Sequence, residues 1–269
     1  MNDTQKRTAL ITGASAGIGR SFAYQFAGHG FDLVITARRR ERLEELRTAL
    51  VADRGVRVEV VVADLADPAA PRAIIDEVAR RGMCVDALVN NAGYGLPDPY
   101  MRTTWEQQAA FLQVLVTAGA HLTHLVVPGM VERGYGRIVN VMSLAGLLPG
   151  APGSTLYAAA KAFGIKFSES LAAELDGKGV HVTAVCPGFT FSEFHDVNGT
   201  REKVQKMPSY MWMDADEVAR EGVEAAMQGE VVCVTGRLNA TIASLAKVLP
   251  GPFLRDIVRR RAKNFRNVE

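Results

Sequence analysis

The run TALITGASAGIG, residues 8–19, passes from apolar and β-branched residues through a glycine-rich turn into a helical pattern that begins near Ile18. A strand that hands over to a helix in this way constrains the remaining chain, because a strand returning after a crossover helix must run parallel to the first. The rest of the sequence repeats the alternation. FDLVITAR, VRVEVVVADL, ALVNNAG, RIVNVMS, VHVTAVCPG and VVCVTG are short, almost continuously apolar runs separated by stretches of helical period. Unbroken apolarity means burial on both faces, so the seven runs predict an α/β fold built on a doubly wound, seven-stranded parallel sheet.

No Pro/Gly/Ser-rich linker or fixed-period repeat interrupts the series, and 269 residues suit one large domain spanning 1–269, with its core at 8–236. Two stretches exceed the usual short connections. Residues 189–213 follow the sixth strand, where ligands of such sheets bind, and are placed as a lid insertion. Residues 237–269 form a C-terminal extension. A net charge of +2 gives no basic surface for nucleic acid. The three cysteines, Cys84, Cys186 and Cys233, lack metal-ligand spacing and are expected to be reduced, buried thiols. The polar start MNDTQKR lacks the apolar core of a secretory signal, and no uninterrupted apolar stretch looks long enough to span a bilayer, so a cytoplasmic location is the expectation.

The glycines at 13, 17 and 19 allow a tight turn and a close backbone approach to a pyrophosphate, whose charge suits the free N–H groups at a helix start. Where dinucleotide folds selective for NAD carry an acidic residue, Arg38 stands nineteen residues after Gly19, followed by Arg39 and Arg40. A guanidinium there can pair with the 2′-phosphate of NADP, a contact worth roughly 1.5–3 kcal/mol, or about ten- to hundredfold. Alternatively the arginines are the solvated start of a helix rich in Glu41, Glu44 and Glu45. Asp64, ending the third strand, suits the adenine amino group, or else Asp64 or Asp67 caps the helix near Pro68. In NNAG, residues 90–93, the amides and glycine either line the cofactor or brace neighbouring strands.

TGASAGIG, NNAG, Ser143, YAAAK and CPGF, in this order and spacing, resemble the short-chain dehydrogenase/reductase family over about residues 8–236. The resemblance implies a Rossmann-like oxidoreductase using NAD or NADP, here NADP by its arginines. It further implies a homodimer or homotetramer packed through long helices at about 104–133 and 155–177. It makes Tyr157 the catalytic acid/base, Lys161 its partner and ribose ligand, and Ser143 the donor to the substrate oxygen. By the same resemblance Gly13, Ser15, Ala16, Gly17, Ile18, Gly19, Arg38, Arg39, Asp64, Leu65, Asn90, Ala92, Gly93, Pro187, Gly188 and Thr190 line the cofactor. Ser192 stands where threonine is commoner, and Ala160 replaces a frequent serine. One departure bears on proton supply: the family's asparagine, thirteen residues before Pro128, is Leu115 here. Leucine supplies neither the helix kink nor the water ligand attributed to that asparagine, which leaves Thr117 or a water on backbone carbonyls as substitutes.

The chemistry needs these residue types. Reduction of a ketone requires a proton for the developing alkoxide, and a free tyrosine has a pKa of about 10. Residues four apart share a helix face. A lysine charge about 4 Å from the phenolate, at an effective dielectric near 20, favours it by about 4 kcal/mol, roughly three pKa units. The five histidines (29, 121, 124, 181 and 195) show neither hydrolase nor metal spacing.

The lid sequence FTFSEFHDVNGTREKVQKMPSYMWM is rich in Phe, Met, Tyr and Trp, as apolar pockets are. A lipophilic carbonyl or alcohol substrate is therefore expected, although the same residues serve equally to pack the loop. The tail GPFLRDIVRRRAKNFRNVE carries six basic and two acidic side chains around Phe253, Leu254, Ile257, Val258 and Phe265. It would close the pocket, meet a neighbouring subunit, or make peripheral contact with an anionic membrane. The alternatives to an NADP-dependent carbonyl reductase or alcohol dehydrogenase are a 3-oxoacyl reductase and a cofactor-binding protein with little catalysis.

Overall fold

Seven strands form where the apolar runs place them: β1 (Thr8–Thr12), β2 (Asp32–Ala37), β3 (Val58–Val62), β4 (Val85–Asn90), β5 (Gly136–Val141), β6 (Val180–Val185) and β9 (Val232–Cys233). The computed structural model describes residues 6–96, 98–193 and 208–262. These strands pair in parallel in the order β3-β2-β1-β4-β5-β6-β9. Strand order reverses between β1 and β4, which opens a crevice at their carboxyl ends.

Helices cover both faces, as parallel strands require. Within β1, Ala9 and Ile11 join one core while Leu10 joins the other, the two-residue alternation of a strand buried on both sides. The first core packs α1 (Gly17–Gly28), α2 (Arg40–Arg54) and α7 (Ala215–Gln228) through Phe22, Phe26, Leu43, Leu50 and Val223. Gly222 lets α7 approach α1, because a methyl at that position would meet the Phe22 ring. The second core uses α3 (Ala70–Arg80) and α5 (Ala118–Glu132) through Ile74, Leu122 and Met130. Each fully buried Phe or Leu contributes about 1.5–3 kcal/mol relative to exposure.

Four expectations are corrected. First, α4 (Trp105–Leu112) and α5 are one continuous helical stretch, Trp105–Glu132, which is long and apolar enough to match a membrane span by length and composition. Its inner residues Phe111, Ala118, Leu122, Val126 and Met130 are buried in the protein. Second, residues 113–117 within it take π-helical geometry, so Leu115 sits in a widened turn and the irregularity does not need an asparagine. Third, Cys84 is exposed, because it lies in the turn before β4; Cys186 and Cys233 are buried, and all three are free. Fourth, the ends of 189–213 are not plain loop. β7 (Phe189–Thr190) and β8 (Trp212–Met213) pair in parallel as a separate two-stranded ladder.

The interior of the expected lid, 194–207, and the tail residues 263–269 with Phe265 lie outside the described residues. The C-terminal extension begins as two helices, α8 (Arg237–Val248) and α9 (Gly251–Ala262). Helix α6 (Thr155–Glu174) packs on β6 and on the 3-10 turn Leu144–Gly146 that follows β5.

Candidate active site

The turn after β1 is shaped by its glycines for three separate reasons. Gly13 and Gly17 have φ of 66° and 52°, the left-handed region that favours glycine. A methyl on Gly13 or Gly19 would meet Asn91, and one on Gly17 would lie 2.9 Å from Ser192 Cβ. Thr12 fixes the turn against β4. Its hydroxyl donates to Val89 O and accepts from the N–H groups of Asn91 and Ala92, using its donor and both lone pairs. Asn91 Nδ2 closes the brace by donating to Thr12 O and Gly13 O.

The α1 start fits a nicotinamide dinucleotide. Ala16 is the N-cap and no side chain caps the first N–H groups, while the first turn holds no acidic residue. Uncapped donors at a helix start form an anion site, and Ala16, Gly17, Ile18 and Gly19 provide it. At the end of β2, Arg39 is the N-cap of α2, and its side chain turns back to donate to Ser15 Oγ at 3.1 Å. Arg39 thus opens the helix, as the solvated-start reading expected, while its side chain lies against the turn after β1. Arg38 is exposed and close enough to Tyr94 to oppose the upward pKa shift that burial gives that phenol, a shift to which Asp64 adds. Tyr94, directly after NNAG, thus stands between Arg38 and Asp64 and was missed by sequence reasoning. Its aromatic character beside the motif was the available signal.

Asp64 Oδ1 accepts from Ala66 N–H and Asp67 Oδ1 from Ala69 N–H, while the N-cap of α3 is Ala69, so neither carboxylate caps the helix. Leu65 is buried in the core beneath this turn. Asn90 braces neighbouring elements through one end of its amide. Its Nδ2 donates to Asn140 Oδ1, Thr123 Oγ1 and Gly119 O, tying β4 to β5 and α5. Gly93 remains exposed at the crevice.

Ser143 follows β5 and starts the turn Leu144–Gly146, its Oγ accepting from Ala145 N–H. That acceptor role leaves the hydroxyl proton to be donated. Gly146 sets its register against α6, since a methyl there would lie 2.8 Å from the Lys161 carbonyl carbon. Leu144 N–H donates to Pro187 O, tying this turn to the Pro187-Gly188 turn after β6. Gly188 in turn touches Asn239 of α8, a buried amide that donates to Thr235 O. Asn239 therefore links the C-terminal extension to the site, and nothing local in the sequence marked it. Thr190 is buried, and its hydroxyl donates to Gly188 O.

Tyr157 and Lys161 lie one helical turn apart on α6, with the ammonium 5.7 Å from the phenol ring centroid. Tyr157 is half-buried, whereas Lys161 is 8% exposed and donates to Val141 O at 2.8 Å. Burial pulls the Lys161 pKa down to about 8, with the Cys186 thiol working against the shift. The lysine is thus protonated at neutral pH and close to losing that proton just above it. Behind it lies a cavity of about 30 Å³ with Asn90, Asn140, Leu115 and Phe167 in its wall, room for a buried water. Leu115 abuts Gly93 of the NNAG segment, and Thr117 is exposed, so Thr117 is no substitute for the expected asparagine. Phe163 is 45% exposed and stacks on Phe167, so close packing of α6 depends on Gly146 and Gly164 rather than on Phe163. Among the described residues no cluster of His, Cys, Asp or Glu could hold a metal ion.

Residues 7–203 match the short chain dehydrogenase family. Sulfoacetaldehyde reductase 2 of Chromohalobacter salexigens is 41% identical over 187 residues, covering 69% of this chain and 73% of that protein. Among solved structures, a short-chain dehydrogenase from Sphingobium yanoikuyae in complex with NADPH superposes with a TM-score of 0.79 at 32% identity, over 91% of this chain and 96% of that one. The bulky-bulky ketone specific alcohol dehydrogenase from Comamonas testosteroni gives a TM-score of 0.74 at 29% identity, over 92% and 96%. The family match runs from β1 past β7 and takes in Tyr157 and Lys161, and an NADPH-bound neighbour superposes along nearly the whole chain. This protein therefore belongs to the short-chain dehydrogenase/reductase family of oxidoreductases.

Proposed function

We propose that the protein reduces a bulky, lipophilic ketone or aldehyde to the alcohol with NADPH, or runs the reverse oxidation. The observation that carries this reading is the Tyr157–Lys161 pair on α6, with Lys161 bonded to Val141 O at the end of β5 and Ser143 two residues beyond, together with the uncapped start of α1 and Arg39 beside the turn that leads to it. When bound, NADPH supplies the hydride that adds to the carbonyl carbon. The chain supplies the rest. Ser143 Oγ donates to the carbonyl oxygen and holds it beside Tyr157, whose phenol gives up its proton as the C=O π bond becomes an O–H bond. Lys161 holds positive charge beside the resulting phenolate.

Support for the substrate class comes from the ladder after β6. Phe191 stacks on Trp212 at 4.7 Å between centroids, and Phe189 lies 5.6 Å from the same ring, a firm apolar wall. The Comamonas enzyme's bulky ketones agree with such a wall, whereas sulfoacetaldehyde, named for the Chromohalobacter relative, is small and anionic. Initial rates over a panel of aryl ketones, steroid ketones and small anionic aldehydes, each with NADPH and NADH, test the reading. The bulky ketones should give the higher kcat/KM, and Trp212→Ala should raise their KM about tenfold without changing NADPH affinity. Preference for the anionic aldehyde would overturn the lipophilic assignment.

We read the apolar outer side of α4–α5, with Trp105 65% exposed, and the Phe163–Phe167 stack on α6 as a homodimer or homotetramer surface. A cytoplasmic enzyme is the accompanying reading. Peripheral membrane contact would fall to α9, where Phe253 is exposed near Arg255, Arg259 and Arg260.

A further inference from the structure

The arginines after β2 already hold an anion that belongs to the chain itself. Glu193 Oε2 lies 2.8 Å from Arg39 Nη1, and its Oε1 lies 4.0 Å from Arg42 Nη2. Arg39 also donates to Ser15 Oγ at 3.1 Å. Two guanidinium groups facing one anion form a donor set for a phosphate as much as for a carboxylate. Backbone packing brings the carboxylate there. Ser192, its neighbour, rests against Gly17 of the turn after β1, and Phe191 is held by its N–H bond to Met213 O and its stack on Trp212.

We propose that Glu193 is an internal stand-in for the 2′-phosphate of NADP(H). It neutralises Arg39 and Arg42 while the cofactor is away, must leave them when the cofactor binds, and so weakens NADP(H) binding without weakening that of NAD(H). The proposal rests on reading Arg39 as the 2′-phosphate ligand. One edge of a guanidinium cannot serve a carboxylate at 2.8 Å and a phosphate at the same place, and two anions brought that close repel. Arg39 and Glu193 are 47% and 42% exposed, so water screens their pair and the competition amounts to a factor of about two to five.

Calorimetric titration of the full chain with NADPH, NADH and adenosine 2′-monophosphate tests this, using wild type, Glu193→Gln and Arg39→Ala. Glu193→Gln should bind NADPH and adenosine 2′-monophosphate about two- to fivefold more tightly, the gain fading as salt is raised, with NADH affinity unchanged. Unchanged or weaker NADPH binding by Glu193→Gln, or an equal gain for NADH, would overturn the proposal. NADH binding also shows that the variant is folded. Arg39→Ala separates the two levels of the reading. If it weakens NADPH about tenfold or more while Glu193→Gln gains nothing, only the role of Glu193 fails; if it leaves NADPH affinity intact, the phosphate site itself is misplaced and the proposal falls with it.

Discussion

The two sides of the crevice are held by different forces. On the cofactor side, Thr12, Asn91 and Asn90 tie the carboxyl ends of β1 and β4 to their neighbours through directional hydrogen bonds, each worth about 1 kcal/mol net and costlier to break than to make. In the segment after β6, a two-residue ladder and three aromatic rings fix the start and end of 189–213. Directional bonds accept few residue types at each position, whereas ring contacts accept many. One side is thus committed to its residues, while the other is free to change them and keep its form.

The largest effect expected of any single change is on the committed side. Tyr157→Phe removes one oxygen and with it the proton donor, so turnover should fall at least about a hundred- to ten-thousandfold while NADPH binding, followed by fluorescence, persists. Retained activity would break the comparison at its root, by placing the acid elsewhere.

Lys161→Met separates function from stability. Turnover should be lost, yet the variant should be more stable at pH 7, because the native state holds a buried ammonium whose pKa is about 8 against an ordinary value of 10.5. Below pH 8 both states carry the proton, and burial costs on the order of 3 kcal/mol. Between about 8 and 10.5 the unfolded state binds more protons, so wild-type stability gains on the variant as pH rises, and the difference closes above 10.5. Urea unfolding of both proteins at pH 7 and pH 10 measures the gap. A less stable variant at pH 7 would mean that the bond from Lys161 to Val141 O outweighs desolvation.

The smallest effect belongs to Leu115→Asn. Turnover should stay within about threefold of wild type or rise, since the π turn that widens this helix is already present with leucine. A strong loss in steady-state assays would show that the Leu115 contact with Gly93 positions the NNAG backbone.

Much of the cofactor side was legible because its residues act through local spacing. The glycines mark a strand-to-helix turn, the arginines follow the second strand directly, and Tyr157 and Lys161 are one helical turn apart. The unread residues act across long separations. Glu193 meets Arg39 only once β7 is laid across the turn after β1, and Asn239 reaches Gly188 only once α8 has folded back. Asn90 was open to two uses, and its bracing role depends on Asn140, fifty residues away on the adjacent strand. The part of the Leu115 expectation that concerned helix shape was misread for a related reason. A side chain was taken to carry the helix irregularity, whereas packing of Gly119 against Asn90 and of Leu115 against Gly93 accompanies it here.

The π turn at 113–117 also gives this helix slack. A wide turn takes up one extra residue while the helix on either side stays regular, and Phe111 on one side and Ala118 and Leu122 on the other are all buried. Deleting one residue from 113–117 should therefore cost less than deleting one from the regular turns of α4, where the loss rotates everything beyond it by about 100° and would carry Phe111 off Tyr94. The wide turn is the one stretch of the helix whose length can change with least effect at the rim of the crevice and in the core.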